Sequence, residues 1–405
     1  MAERNFSQAQ VTRKAQAGIR AGHPWVYDTE VMKIAGPYEN GDLIDVTGER
    51  GQYLGTGFIS DRSKIRIRLI SRNANDRMDA AFFERRLRHA WEYRKTVMPE
   101  ALDCCRLIFG EADLFPGLTV DRFSNILVTQ TLSLGMERLK GLLFPMLCRI
   151  LREDGQAIDG VYERNDVAIR QLEGLSEGKG FFPLEGETPP AATETVITEN
   201  GIRYRVDFKD GQKTGFFLDQ KYNRQAIGKL CRGKRVLDCF THTGSFALNA
   251  AASGAERVHA LDISPEAVHM AEENARLNAL EGRIEFETAN VFDRLPTLPR
   301  GAYDCVILDP PAFTKSRRTI DRAIRGYKEI NLRGMRLLPR GGYLATCSCS
   351  HFMADRLFRE MLRDAAMDAG VTLRQIEARQ QSPDHPILWN VPETDYLKFY
   401  IFQVV

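Results

Sequence analysis

The chain has 405 residues, 43% hydrophobic and 27% charged, which is length and apolar content enough for two or three domains. A net charge of +2 implies no polyanionic partner by itself, and no apolar run approaches the ~18 residues of a membrane-spanning helix. The eight cysteines form no C-x-x-C pair and mostly sit in apolar runs, and residues 1–20 lack the apolar core of a secretory signal. Reduced thiols in a cytoplasmic protein are therefore expected, with neither a disulfide framework nor a metal site.

The first 75 residues carry short strand-like runs, 42–46, 53–59 and 65–71, punctuated by glycines, which predicts a small all-β barrel. In the third run Lys64, Arg66 and Arg68 alternate with Ile65, Ile67 and Leu69, so the three basic residues share one face. That face reads equally as a solvated strand face or as a phosphate-contacting one. A helix over 80–97 opens an α+β middle region, residues 76–190, with strands near 118–121 and 126–132 and an amphipathic helix over 136–151. Gly, Pro and Glu dominate 176–192, which reads as a linker. A hairpin follows, its turn at Asn200-Gly201.

The third region, 191–405, then alternates strand and helix, with strands near 235–238, 258–261, 284–287, 303–308, 342–346 and 397–404. Repeated β-α-β units imply an α/β, doubly wound, mainly parallel sheet that binds its ligand at the carboxyl ends of the strands. Each cluster of polar residues falls at such an end. Asp238 to Phe246 follow the first strand, Asp262 the second, Asn290 to Asp293 the third, and Asp309-Pro310-Pro311-Ala312-Phe313 the fourth. Asp262 suits the two hydroxyls of an adenosine ribose. The first turn has a single glycine, Gly244, among Thr241, Thr243 and Ser245, a poor cradle for a pyrophosphate. A nucleoside with an amino-acid tail fits this turn, which favours S-adenosylmethionine over a dinucleotide. Taken singly, Asp262 is also an ordinary strand-end aspartate, Asn290 a turn residue and the two prolines a rigid corner. Four such elements in order are harder to explain structurally.

These phrases, together with Phe216-Phe217-Leu218-Asp219-Gln220-x-x-Asn223-Arg224, Gly22-His23-Pro24-Trp25-Val26-Tyr27, Gly110-Glu111-x-Asp113 and Glu393-Thr394-x-Tyr396-Leu397-Lys398, resemble the ribosomal RNA large subunit methyltransferase I family across nearly the whole chain. The resemblance implies a class I S-adenosylmethionine-dependent (Rossmann-like) methyltransferase domain preceded by a PUA-like RNA-binding barrel at 1–75. It implies formation of 5-methylcytidine in large-subunit (23S) rRNA. It also implies cofactor contacts at Thr241, Gly244, Asp262, Asn290 and Asp309, with Gln220 and Arg224 nearby.

Methylating cytosine C5 needs a thiolate that adds to C6. Thr346-Cys347-Ser348-Cys349-Ser350 lies beyond the fifth strand, and its outer cysteine, Cys349, is the expected nucleophile, with Asp309 or water as base. Strand cysteines packed in a core are the plainer reading of the same run. Related RNA enzymes carry a second cysteine beside the strand-four motif, where this chain has Asp309-Pro310-Pro311-Ala312. N-methylation of guanine or adenine in RNA therefore stays open, as does a non-catalytic RNA-binding or ribosome-assembly factor. RNA contacts are expected from Lys64, Arg66 and Arg68 and from Arg317, Arg318, Arg322 and Arg325. The latter group lies in a stretch, 315–340, with nine Lys/Arg against Asp321 and Glu329. No membrane partner is expected, and the oligomeric state stays open, a homodimer included.

Overall fold

A computed structural model describes residues 5–314 and 316–405, with the side chain of Arg317 outside the description. The chain forms two compact units. One comprises residues 1–197, 206–218 and 383–394; the other comprises 198–205, 219–382 and 395–405.

The first unit contains two sheets. Residues 7–71 build a six-stranded sheet whose strands include Trp25–Tyr27, Leu43–Thr47, Tyr53–Ile59 and Ile65–Ser71. Alternation places Val26, Ile44, Val46, Ile59, Ile67 and Leu69 on one buried face. The helix Arg13–Arg20 packs Ala15 and Ile19 onto it and is capped by the Thr12 hydroxyl, which accepts from the Ala15 N–H. The second sheet has five strands between Cys104 and Phe181, with helices Ala80–Val97 and Leu134–Glu153. Two arginines here are paired with acids, while buried Arg122 donates to the Ser124 carbonyl and Gln156. Arg94, 0% exposed, forks onto Asp113 at 2.5 and 2.7 Å, and Arg106 forks onto the wholly buried Asp121.

The hairpin Glu194–Glu199 with Ile202–Asp207 turns at Asn200 and Gly201, both left-handed at φ 55° and 78°, as a type I′ turn requires. Beyond it, seven strands form the sheet of the second unit. In spatial order they are Ile284–Thr288, Arg257–Asp262, Arg235–Cys239, Cys305–Leu308, Tyr343–Ser348, Lys398–Val404 and Leu373–Arg379. The first five run parallel, Lys398–Val404 runs antiparallel to them, and Leu373–Arg379 pairs antiparallel with Lys398–Val404. The strands are near-continuous apolar runs because helices cover the sheet, and Leu237, Leu261, Val306, Leu308 and Leu344 are fully buried. Chain order reverses between Arg235–Cys239 and Cys305–Leu308, and the crevice at this switch point is where an open α/β sheet receives its ligand. Among the described residues, no helix is long and apolar enough to cross a membrane.

Candidate active site

Backbone register decides what meets at the crevice. Leu308 is level with both Cys239 and Thr346, so the residues that follow, Asp309 and Cys347, emerge side by side. Cys347 Sγ lies 2.7 Å from Asp309 Oδ1 and donates to it. Gln220 bridges the two, its Nε2 at 3.2 Å from Asp309 Oδ1 and 3.4 Å from Cys347 Sγ, while its Oε1 accepts from Asn223 at 2.7 Å. Burial pushes the Asp309 carboxyl above the usual carboxylate range, and burial with the adjacent Asp309 charge pushes the Cys347 thiol well up. Cys347 is thus a buried hydrogen-bond donor.

Cys349 is the partly exposed member of the pair and the one cysteine of the described chain that is not buried. Its neighbours are pinned. Ser348 Oγ donates to the Tyr327 hydroxyl at 3.0 Å, and Ser350 Oγ donates to the Thr314 carbonyl at 2.9 Å. Lys398, level with Ser348 on the adjoining strand, donates to the Ser350 carbonyl at 2.7 Å and to that of Tyr396 at 2.8 Å. Burial pulls the Lys398 ammonium down to about 8. No role for Lys398, Tyr327 or Thr314 is legible in the sequence. Their part depends on strand pairing and on a loop returning from the fourth strand, and neither has a local signature.

The turn after the first strand is tight. Phe240, His242 and Gly244 have positive φ, and the Gly244 N–H donates to the Thr241 carbonyl at 2.9 Å. A Cβ on Gly244 would stand 3.0 Å from that of Ala271, so the glycine serves both the left-handed backbone (φ 83°) and close helix packing. The Thr241 hydroxyl is committed to Asp238 at 2.6 Å. Among the described residues, Asp238 Oδ1 and Thr243 Oγ1 are buried with no hydrogen-bond partner. Burial, helped by the Asp309 and Asp262 charges, pushes the Asp238 carboxyl up to about 7. An unpartnered buried carboxylate oxygen and an unpartnered hydroxyl suit the ammonium and carboxylate of an amino-acid tail.

Asp262 is held by two backbone donors, His242 N–H at 2.8 Å and Ser264 N–H at 3.0 Å, one on each carboxylate oxygen. Each oxygen keeps a lone pair for a ribose hydroxyl. Asn290 is exposed at the N-cap of the helix Val291–Arg294, its side-chain oxygen accepting from Phe292 N–H at 3.0 Å. Phe240, Phe292 and Phe313 cluster nearby, with ring centroids 5.7 to 6.5 Å apart where they meet Phe313. The donor set therefore fits S-adenosylmethionine, from tail to ribose, along the strand ends.

Three expected roles change. Arg224 is 1% exposed and forks onto buried Glu199 at 2.7 and 3.0 Å, reaching the first turn only through Ser245 Oγ at 3.4 Å. It supports the turn and does not open onto the ligand. Arg66 is bound by Asp61 and by Tyr38, and Arg68 by Glu111 at 3.5 Å and Glu173 at 3.1 Å, so neither offers a free charge to phosphate. Lys64 remains exposed. On the helix Ile320–Leu337, Arg322 and Arg325 are exposed opposite the buried Ala323, Tyr327 and Ile330, and Arg318 is exposed just before it. Among the described residues these three arginines form no ion pair, whereas Lys328 and Arg333 on the same helix do. The Arg317 side chain lies outside the described residues. No group of His, Cys, Asp and Glu suited to a metal occurs among the described residues.

A family model for S-adenosylmethionine-dependent methyltransferases matches residues 184–400, and one for a PUA-like domain matches 9–72. The chain is 37% identical over its full length to a protein of Klebsiella pneumoniae (strain 342) named ribosomal RNA large subunit methyltransferase I, the match covering all of both chains. It is 39% identical to the Escherichia coli (strain K12) protein of the same name, over 95% of this chain and 96% of that one. In fold it is similar to a Streptococcus mutans structure described as a SAM-dependent methyltransferase, with TM-score 0.80 and 20% identity over 98% of this chain and 100% of that one. A further structure with TM-score 0.81 and the same identity and coverage holds SAH.

Proposed function

Because this chain belongs to the ribosomal RNA large subunit methyltransferase I family and is S-adenosylmethionine-dependent, we propose that it forms 5-methylcytidine in large-subunit (23S) rRNA. The observation that carries this reading is the division of labour between the two cysteines: one buried against Asp309, the other half-open at the strand's end. An exocyclic amine needs no such thiol, whereas C5 of cytosine is too poor a nucleophile without one.

Cys349 acts as the nucleophile in this reading. Its thiolate adds to C6, and the C5–C6 double-bond pair makes C5 electron-rich. S-adenosylmethionine, when bound, would supply an electrophilic methyl group to C5 and leave as SAH; Asp262 would hold its ribose, and Asp238, Thr243 and Asn290 would hold it along the strand ends. A base removes the C5 proton, the pair re-forms the double bond, and the thiolate leaves from C6. Asp309 is the proposed base, since a carboxyl raised by burial holds a proton more readily than a solvated one. Gln220 and the Cys347 thiol orient it, in place of the second cysteine found beside the strand-four motif of related enzymes. The Lys398 ammonium places positive charge next to the Ser-Cys-Ser run, the setting a nucleophilic thiol requires. Arg318, Arg322 and Arg325 supply phosphate contacts.

The test is methyl transfer to deproteinised rRNA followed by mass analysis of its nucleosides, where 5-methylcytidine is expected. With 5-fluorocytidine at the target, wild type should accumulate a covalent RNA adduct that Cys349→Ser does not form. Methylguanosine or methyladenosine without an adduct would move the reaction to an exocyclic amine.

A further inference from the structure

Three stretches that the active site does not use converge elsewhere, all within the first unit. They are Gly22-His23-Pro24-Trp25, Gly110-Glu111-x-Asp113 and the run Leu388 to Glu393. His23 Nε2 lies 3.3 Å from Glu393, and Trp25 Nε1 donates to Glu111 at 3.0 Å. A Cβ on Gly22 would stand 1.8 Å from Asn390 Nδ2, so only glycine lets these two segments close up. Together they wall a cavity of about 280 Å³ that Arg72, Asn73, Arg86 and Leu114 complete. This is the small end of the range for ligand pockets, room for about one nucleotide.

Two features stand out, an arginine of the wall without an ion-pair partner and an exposed tryptophan beside the wall. Arg86 is half-buried, its guanidinium stacked 4.2 Å over the Phe82 ring and donating to the Leu114 carbonyl at 3.2 Å. Among the described residues it has no ion-pair partner. The acid it senses, Asp76, is held by Arg85 at 3.6 Å and by Ser71, and burial lowers the Arg86 guanidinium to about 10. Elsewhere in this unit the buried Arg94 and Arg170 and the largely buried Arg106 meet carboxylates, and buried Arg122 is spent on the Ser124 carbonyl and Gln156. The acid on the wall, Glu111, is already engaged by Arg68 and Trp25. Trp389, between the wall residues Leu388 and Asn390, is 96% exposed. An uncovered indole is costly in water and is a stacking surface for an unpaired base.

We propose that this cavity is a second RNA site, which takes one unpaired nucleotide with its base on Trp389 and its phosphate at Arg86 and Arg72. Asn390 lines the same cavity and carries an amide for a base edge. The inference rests on RNA being the substrate, and it concerns binding remote from the reacting carbon.

The experiment uses the full chain and a fluorescein-labelled single-stranded oligoribonucleotide, read by anisotropy. Trp389→Ala should weaken binding about tenfold, the effect of losing one base stack, and Trp389→Phe should largely restore it. Arg86→Met should weaken binding and lower its salt dependence, with SAH affinity unchanged in all three variants. RNA should quench tryptophan emission in wild type and much less in Trp389→Phe, a readout that a misfolded variant does not imitate. If Trp389→Ala and Arg86→Met bind RNA as wild type does while methyl transfer proceeds, the site is overturned and the proposed function stands. If wild type binds no RNA, both fall.

Discussion

Buried charge is handled in opposite ways by two arginine–aspartate pairs of the first unit and by the strand ends of the second. In the first, Arg94 forks onto Asp113 and Arg106 onto Asp121. In the second, the strand ends hold Asp238 and Asp309, both raised by burial, and no arginine or lysine pairs with either among the described residues. Compensated charge fixes a fold, because taking away one partner strands the other. Uncompensated charge is carried at a cost in stability, and it persists where a ligand or a proton is due to arrive. The comparison assigns chemistry to the strand ends and sets Arg86 and Arg122 apart in the first unit, Arg122 being spent on the Ser124 carbonyl and Gln156.

The largest effect that would break this comparison lies at the cysteines. Cys349→Ser should lose turnover by roughly 10⁴-fold or more, as removal of a nucleophile does, with SAH and RNA affinity nearly intact. Cys347→Ser should keep most activity, since a hydroxyl still donates to Asp309. A Cys347→Ser enzyme that is dead beside an active Cys349→Ser enzyme reverses the roles. Next in size is the buried pair of the first unit. Arg94→Met should destabilise that unit by about 3–5 kcal/mol in urea unfolding, because Asp113 is left buried and unpaired. The double variant Arg94→Met/Asp113→Leu should recover much of this. Equal losses in the single and double variants would show that Asp113 is not the stranded group.

At the strand ends, Asp262→Ala should weaken SAH binding by roughly 1–3 kcal/mol, read by calorimetry, since two hydroxyls lose a charged acceptor. An unchanged affinity removes Asp262 from the site. Asp238 adds a pH signature. Its carboxyl is raised to about 7, so the stability that protonation confers is complete below its ordinary value, near 4, and is lost as pH rises through 7. A cationic ligand tail favours the ionised form, so SAH binding should release protons near pH 6 and tighten as pH rises to 7. Asp238→Asn should abolish both effects; proton release that persists in Asp238→Asn assigns the titration to another group.

Much of this was legible because the signals are local. The Asn200-Gly201 turn, the Ser264-Pro265 helix start and the polar strand ends each announce themselves within a few residues. The strands Cys104–Phe109 and Leu373–Arg379 escaped. Arg106 interrupts the first and is neutralised by Asp121, 15 residues away. The second is a sheet-edge strand with no buried residue, and its Ile376 and Ala378 are exposed, so no apolar alternation marks it. The return of residues 383–394 to the first unit has no sequence signal at all. The placement of Cys349, Asp309 and Asp262 at the strand ends was legible from residue type and strand position. Arg224, Arg66 and Arg68 were misplaced because an arginine reads the same in sequence whether its acid is present or absent. Glu199 decides the matter for Arg224 from 25 positions away, Glu173 and Glu111 for Arg68 from 105 and 43, and Asp61 for Arg66.

That last ambiguity gives the smallest and most discriminating prediction. Arg318, Arg322 and Arg325 are exposed and, among the described residues, unpaired, whereas Arg68 is 15% exposed and held by two glutamates. A free arginine that meets RNA displaces a counterion, so each loss should lower the salt slope of RNA affinity by about one unit and leave unfolding unchanged. A paired arginine has already spent its charge on the fold. Arg68→Ala should therefore lower the unfolding midpoint, since Glu173 is 3% exposed and loses its cation, and leave the salt slope alone. The two variants should respond in crossed fashion to two measurements, urea unfolding and anisotropy across a salt series. If Arg318/Arg322/Arg325→Ala leaves the slope intact, that helix is only a solvated face. If Arg68→Ala lowers the slope, its glutamates release it to RNA, and pairing in the free protein is no guide to the interface.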